Sequence, residues 1–199
     1  MFETINLIFL IMFIIIYKLK YKSPSISVEA FNNREYLVND LKDSQAAANT
    51  LAQIMTTLEN LVKFIINDYN NKNPTKEDNT FIGYVRTIDK RLPDVKISEN
   101  PLDSKFTSYS INKGEELVFC IRDKLTKKIH NLNELLYVAI HEIAHIGCPE
   151  IGHTELFRTI NQYLLKKAVR YKLYKYIDYG TYNKSYCGMT LSTTILNDY

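Results

Sequence analysis

The stretch NLNELLYVAIHEIAHIG, residues 131–147, constrains the fold more than any other part of the chain. Asn131 and Glu134 have the spacing of a capping box, with Asn in the place usually held by Ser or Thr. Apolar residues then recur at helical intervals, and Gly147 is typical of the position just after a helix. These signals predict one helix with an apolar face, and they do so without reference to its histidines.

Three of the four histidines in the chain lie within thirteen residues, and two of them fall on this helix. His141 and His145 are four positions apart, so they share one helix face and can bind one metal ion. Glu142 lies next to the first ligand and is predicted to act as general base towards water on the metal. Beyond the helix, His153 can supply a third imidazole, which leaves a fourth position open, as in catalytic zinc sites. The sequence therefore predicts a Zn²⁺ site of His141, His145 and His153 with Glu142 as catalytic base.

Other choices of the third ligand fit the sequence less well. The pattern HExxHxxGxxH needs Gly and His where this chain has Cys148 and Ile151. A glutamate ligand further along is excluded, because no Glu follows Glu155. Asp178 stays open as an aspartate ligand, and Cys148 stays open as a ligand or an inhibitory thiolate, although a small apolar turn residue is the simpler interpretation.

The segment HEIAHIGCPEIGHTELF, residues 141–157, resembles the WLM/SprT-like branch of zincin metallopeptidases, where a Gly-His pair follows HExxH after a turn. The resemblance includes the hairpin-like segment 107–123 and the tetrapeptide YCGM, and is greatest to membrane-anchored metallopeptidases of large DNA viruses and some protists. Glu155 and Leu156 depart from the Pro-Glu that such proteins often have at this point. The resemblance implies a zincin-like α+β fold, hydrolysis of peptide bonds, and a peptide or protein substrate. It also implies a sheet edge that binds the substrate backbone, for which 116–121 is the expected strand.

The donor that would stabilise the oxyanion stays open. A Tyr or His side chain is expected to fill this role. The choice lies between His130, Tyr179 and Tyr186.

An apolar run, LIFLIMFIIIY, occupies residues 7–17 and is followed at once by Lys18, Lys20 and Lys22. Counted over residues 5–19, with Lys18 and Lys20 snorkelling, the segment approaches the ~20 residues that span a bilayer. A cleaved signal peptide and a buried core helix are the alternatives, but no small-residue cleavage site follows the run. Because the lysines follow the run, we expect a single-pass membrane protein whose C-terminal domain faces the cytosol or the virion interior.

The predicted fold class is α+β, mostly helical, with a small antiparallel β element and a preceding transmembrane helix. A hairpin around Asn112, Lys113 and Gly114 supplies the β element. Apolar residues at steps of three and four predict a long helix that packs on the catalytic domain, although a dimerising stalk stays open and the oligomeric state is not predicted. The expected segments are a membrane anchor (1–22), a linker (23–32), a long amphipathic helix (33–72) and a zincin-like metallopeptidase domain (80–199).

Charge and cysteine content limit the partners. The net charge of +3 is too small to indicate nucleic-acid binding, and the basic stretch 156–185 is interpreted as a solvated helix face rather than a lipid or nucleic-acid site. Three cysteines without a CxxC pair, namely Cys120, Cys148 and Cys187, predict reduced thiols.

The predicted function is a membrane-anchored zinc metallopeptidase. The alternative is a non-catalytic, metal-stabilised membrane scaffold protein. Glu142 favours the enzyme, because a scaffold has no need of a general base beside its metal ligands.

Overall fold

A computed structural model of the chain describes residues 24–196, which contain four α-helices and seven β-strands. The helices are α1 (Ser44–Asn71), α2 (Lys76–Arg91), α3 (Leu132–Gly147) and α4 (Glu155–Arg170). The strands are β1 (Ser25–Glu29), β2 (Glu35–Asn39), β3 (Lys96–Glu99), β4 (Tyr109–Ile111), β5 (Glu116–Phe119), β6 (Lys184–Tyr186) and β7 (Met189–Leu191). A short 3₁₀ helix, Leu92–Asp94, links α2 to β3.

The first five strands form one mixed sheet in the order β1-β2-β3-β5-β4. The pairs β2–β3 and β3–β5 are parallel, whereas β1–β2 and β4–β5 are antiparallel. Because parallel neighbours need a long crossover, α1 and α2 connect β2 to β3. β4 is an edge strand, and β6 and β7 form a separate hairpin.

The core lies between this sheet and the helices. α1 buries one face along its length, where small residues such as Ala47 and Ala48 allow close approach and larger ones such as Leu51 and Leu58 fill the interior. α3 contacts α1, α2 and α4, and its buried residues include Leu135, Ala139 and Ile143. A helix packed on three others is a rigid support for any site on its remaining face.

The β4–β5 hairpin confirms the antiparallel turn predicted around residues 112–114. Asn112, Lys113 and Gly114 all have positive φ in its turn. A Cβ atom on Gly114 would lie 2.7 Å from the Ile146 side chain of α3, so only glycine allows the hairpin to approach that helix so closely. The expected edge strand 116–121 is wrong, because β5 lies between β3 and β4, and β4 is the edge.

The α+β class is confirmed, but the small antiparallel β element is wrong because the chain forms a five-stranded mixed sheet. Within 23–32, expected to be a linker, lies β1, and within 33–72, expected to be helical, β2 precedes a helix that begins only at Ser44. The alternation in SISVE and EYLVN is short, and Asn33, at φ 58°, supplies the turn that folds one strand against the other.

The transmembrane architecture and the single-pass membrane localisation are corrected. Among residues 24–196, no helix is both long enough and apolar enough to cross a bilayer. α1 has the length, with 28 residues, but polar side chains occupy its outward face. The predicted anchor, 1–22, lies outside the residues that the structure describes.

The expectation of reduced thiols is wrong for two of the three cysteines. Cys120, just after β5, and Cys187, in the β6–β7 turn, form a disulfide with their Cα atoms 6.2 Å apart. Cys148 is free and buried. The pair is separated by 67 residues, so no local spacing in the sequence indicated it.

Candidate metal centre

α3 carries the first two predicted ligands and the predicted base. Its N-terminus is capped by the Asn131 side chain, which accepts a hydrogen bond from the backbone N–H of Asn133 at 2.9 Å. Glu134, predicted to complete a capping box, lies 3.6 Å from His130 and 3.0 Å from Lys184. The helix itself therefore forms as predicted, but the Glu134 side chain contacts His130 and Lys184 and does not complete a capping box.

The three predicted histidines meet at one place. Nitrogen atoms of His141, His145 and His153 lie within 4.8 Å of one another, an arrangement that could hold a metal ion. The Nε2 atoms of His141 and His153 are 3.0 Å apart. Two ligands of one tetrahedral zinc ion, each at 2.0–2.1 Å from it, are about 3.3 Å apart, so the spacing fits a shared metal.

The third histidine reaches this place through a short loop between α3 and α4. Gly152, at φ 83°, turns the chain immediately before His153. Thr154 then caps α4 by accepting a hydrogen bond from the backbone N–H of Phe157 at 3.3 Å. The Lys113 ammonium of the β4–β5 turn donates to the Pro149 carbonyl oxygen and so ties the loop to the sheet.

Phe157 supports all three imidazoles, and sequence reasoning did not identify it. Its ring is stacked on His145 with a centroid distance of 4.0 Å, and its centroid lies 4.8 Å from that of His141 and 4.9 Å from that of His153. The side chain is almost fully buried. Its position three residues after an N-cap threonine was visible in the sequence, but its contact with the histidines depends on the packing of α4 on α3.

The surroundings keep two of the histidines neutral. Burial, reinforced by the neighbouring imidazoles, lowers the pKa of His141 to about 3. Burial and the nearby His153 lower the pKa of His145 to about 4. A neutral imidazole has a free nitrogen lone pair, which is the form that binds metal.

Glu142 is a buried carboxyl group beside these ligands. It is 6% exposed, and its burial raises its pKa to about 7. A carboxyl group with a pKa near neutrality can both take up and release a proton at physiological pH.

The histidines and Glu142 line a cleft of about 950 Å³. Residues 107–110, which include the start of the edge strand β4, form one segment of its wall, and residues 189–195 form a second segment. Residues of α3 and α4 also line the cleft. The cleft is large enough for a segment of an extended peptide.

The other residues considered for the site are placed elsewhere, with one exception. Asp178 accepts hydrogen bonds from Thr181 and Thr194, and neither it nor Cys148 belongs to the group of metal-binding side chains found in residues 24–196. Of the three residues considered as oxyanion donors, Tyr186 lines the cleft, whereas His130 and Tyr179 are not among its lining residues.

Comparison with known proteins gives viral relatives. The chain is 39% identical over 82 residues to uncharacterized protein 042R of Invertebrate iridescent virus 3, which covers 41% of this chain and 50% of that protein. It is 33% identical over 111 residues to uncharacterized protein 136R of Invertebrate iridescent virus 6, which covers 54% of this chain and 58% of the relative.

Structural comparison gives a match to a Wss1 mutant from Saccharomyces cerevisiae, with a TM-score of 0.35 and 16% identity over 52% of this chain and 90% of that one. A similarity of this size supports no inference about function. No family model matches the chain, so membership of the WLM/SprT-like branch stays a prediction.

A further relative is similar over most of its length. Uncharacterized protein R325 of Acanthamoeba polyphaga mimivirus is 34% identical to this chain over 178 residues, which covers 89% of this chain and 87% of that protein. On that similarity, the chain belongs to the same protein family as mimivirus R325.

Proposed function

We propose that the protein is a zinc-dependent peptidase in which His141, His145 and His153 hold the ion and Glu142 is the general base. The main support for this proposal is the arrangement of the histidines and the acid. Three imidazoles converge beside a buried carboxyl group in a cleft that can admit a peptide.

The donor set fits zinc. Imidazole nitrogen is a common zinc ligand, and three protein ligands with one open position are typical of catalytic rather than structural sites. A zinc ion bound here would supply Lewis-acid chemistry and lower the pKa of water at the open position.

Glu142 supplies the proton transfers. Its carboxylate would accept a proton from the attacking water and pass it to the leaving amine nitrogen as the peptide bond breaks. Burial without an ion disfavours the charged carboxylate, whereas a cation held by the adjacent histidines would favour it. Neutral histidines that bind a cation are therefore compatible with a buried acid that the same cation would ionise.

A peptide or protein substrate is supported by the edge strand β4. The cleft runs along residues 107–110, and an edge strand offers backbone N–H and C=O groups to an extended chain. This strand takes the place of 116–121, which the sequence had suggested as the substrate-binding edge.

A non-catalytic, metal-stabilised protein is the competing interpretation. It accounts for the three histidines, but it gives no reason for a buried acid beside them in an open cleft. Because burying an unpaired carboxyl group is unfavourable, the position of Glu142 favours the enzyme.

The test uses the full chain, purified without added metal, beside three variants. We expect about one zinc per chain in the wild-type protein and in Glu142→Gln, and much less in His153→Ala, measured by mass spectrometry of metals. Cleavage of a fluorogenic peptide library should be lost in Glu142→Gln and kept in Glu29→Gln, a control on the exposed strand β1. Equal cleavage by Glu142→Gln and the wild type, or no zinc in the wild type after zinc is supplied, would contradict the proposal.

A further inference from the structure

The β6–β7 hairpin stands apart from the main sheet. Its two strands pair only with each other, and Tyr186 and Met189 close a two-residue turn. The turn residues Cys187 and Gly188 have φ of 51° and 83°, as two-residue hairpin turns require. An isolated two-stranded hairpin is marginally stable in water, so this one depends on its attachments.

The disulfide is the covalent attachment. It joins the turn at Cys187 to Cys120, at the end of β5, and both cysteines are buried. The hairpin is also held by the buried side chains of Tyr186 and Leu191. An ion pair between Lys184 and Glu134 adds little, because the lysine side chain is half exposed.

Tyr186 connects the disulfide to the cleft. Its hydroxyl group lies 2.8 Å from the Ser108 hydroxyl, and Ser108 Oγ also accepts a hydrogen bond from the backbone N–H of Cys120 at 3.1 Å. Tyr186 and Ser108 both line the cleft. The disulfide, Ser108 and Tyr186 are therefore connected to one another beside the cleft.

The second wall segment of the cleft continues directly from this hairpin. Residues 189–195 line the cleft, and those after Leu191 belong to no strand. They are held by side chains that bind their backbone, with Gln162 donating to the Ile195 carbonyl at 3.2 Å and Tyr176 donating to the Leu196 carbonyl at 2.9 Å. The buried side chains of Leu191 and Leu196 fix the two ends of this segment, whereas single hydrogen bonds are weak anchors for the residues between them.

We propose that the Cys120–Cys187 disulfide positions this wall, so that the cleft is complete only in the oxidised protein. This inference rests on the proposed function, because it takes the cleft as the substrate site. Reduction frees the hairpin, and Tyr186 and residues 189–195 leave their places while the three histidines on and beside α3 stay together. The disulfide is thus a redox control on substrate binding.

Breaking the disulfide requires a two-electron reductant. With a trialkylphosphine, the S–S bond breaks, two electrons pass from phosphorus to the sulfurs, and water supplies one proton to each sulfur and its oxygen to phosphorus. The products are two cysteine thiols and a phosphine oxide. Because both cysteines are buried, reduction has to pass through brief opening of the hairpin.

Hydrogen exchange measured by mass spectrometry tests the inference without requiring activity. The full chain is compared in its oxidised form and after phosphine treatment and removal of the phosphine. We expect exchange at residues 184–196 to accelerate about tenfold or more on reduction, while α3 keeps its protection. The Cys120→Ser/Cys187→Ser variant should exchange like the reduced protein with or without phosphine, and Tyr186→Phe, which keeps the disulfide, should stay protected. Unchanged exchange at residues 184–196 after complete reduction would overturn the inference.

Binding of a peptide hydroxamate to the zinc-loaded protein separates this inference from the proposed function. We expect the affinity of the reduced protein to be about tenfold lower than that of the oxidised protein, with equal zinc content. Equal affinity of both forms would overturn the redox inference and leave the metal site intact. Binding to neither form would contradict the proposed function, and hydrogen exchange would then decide alone whether the disulfide holds the wall.

Discussion

At the scale of single residues, the site depends on side chains of two kinds. The three histidines and Glu142 carry the chemistry, and their local spacing made them predictable from the sequence alone. Phe157 orients the metal-binding rings, because its own ring contacts all three imidazoles. That contact could not be predicted, since it depends on how α4 packs on α3 and not on any periodic pattern. Residues that orient metal ligands influence the affinity for the metal ion without contacting the ion themselves.

Replacing Phe157 with leucine should weaken zinc binding while the protein stays folded. Leucine keeps most of the buried apolar volume but loses the stacked ring that orients His145. We expect the zinc dissociation constant to rise about tenfold, measured by competition with a chelating dye. Phe81→Leu is the matched control, because Phe81 stacks on Tyr163 rather than on a histidine. An unchanged dissociation constant in Phe157→Leu would show that stacking does not position the imidazoles.

Between elements, α2 and α4 are joined by a buried polar contact. Lys167 lies 2.5 Å from Asp78, and the Tyr163 hydroxyl donates to the same carboxylate at 2.9 Å. Thr75 caps α2 by a reciprocal capping box with Asp78, so one carboxylate both caps α2 and docks it on α4. Burial alone would raise the pKa of Asp78, but hydrogen bonds from Lys167, Thr75 and Tyr163 hold it well below its ordinary value.

This contact predicts a pH-dependent loss of stability in Asp78→Asn. Because the folded-state pKa of Asp78 lies below its unfolded value of 3.8, the carboxylate stabilises the fold above about pH 4 and loses that effect as pH falls further. We expect the variant to be about 2 kcal/mol less stable than the wild type at pH 7, with the difference shrinking towards pH 3. Urea unfolding at several pH values measures this. The exposed Asp89 of the same helix, changed to Asn, serves as control, and a pH-independent difference would contradict the explanation.

The elements themselves were predictable to different degrees. α3 and the β4–β5 hairpin have strong local signals in the sequence, namely an N-cap with helical periodicity for α3 and the turn residues 112–114 for the hairpin. β1 and β2 were missed because each has five residues and the helical pattern of α1 follows closely. The mixed sheet could not be derived from local signals, since β3 pairs with β2 and β5 across long separations in sequence.

At the scale of the whole molecule, metal binding and the stability of the fold are linked. His141 and His145 lie on the helix at the centre of the core, whereas His153 is exposed on the loop that leads into α4. An ion that binds all three joins the end of α3 to the start of α4. A ligand that binds only the folded chain stabilises it in proportion to the logarithm of its concentration.

Zinc should therefore raise the unfolding temperature of the wild-type protein, and a chelator should lower it. At a free zinc concentration of about one hundred times the dissociation constant, the gain is ~2.7 kcal/mol. His153→Ala should show little response to zinc, and should unfold close to the metal-free wild type because the exposed His153 contributes little packing. Scanning calorimetry with and without chelator measures both. If zinc raises the unfolding temperature of His153→Ala as much as that of the wild type, His153 is not a ligand.

The disulfide also makes a covalent ring. It closes the chain between Cys120 and Cys187, and α3, α4 and all three histidines lie inside that ring. The loop between the two helices is exposed, and its residue Ile151 is 87% exposed. A single protease cut there opens the ring without dividing the molecule, so the two pieces should migrate as one species on a denaturing gel until the sulfur bridge is reduced. The parts of the site stay attached to one another after the polypeptide that joins them has been broken.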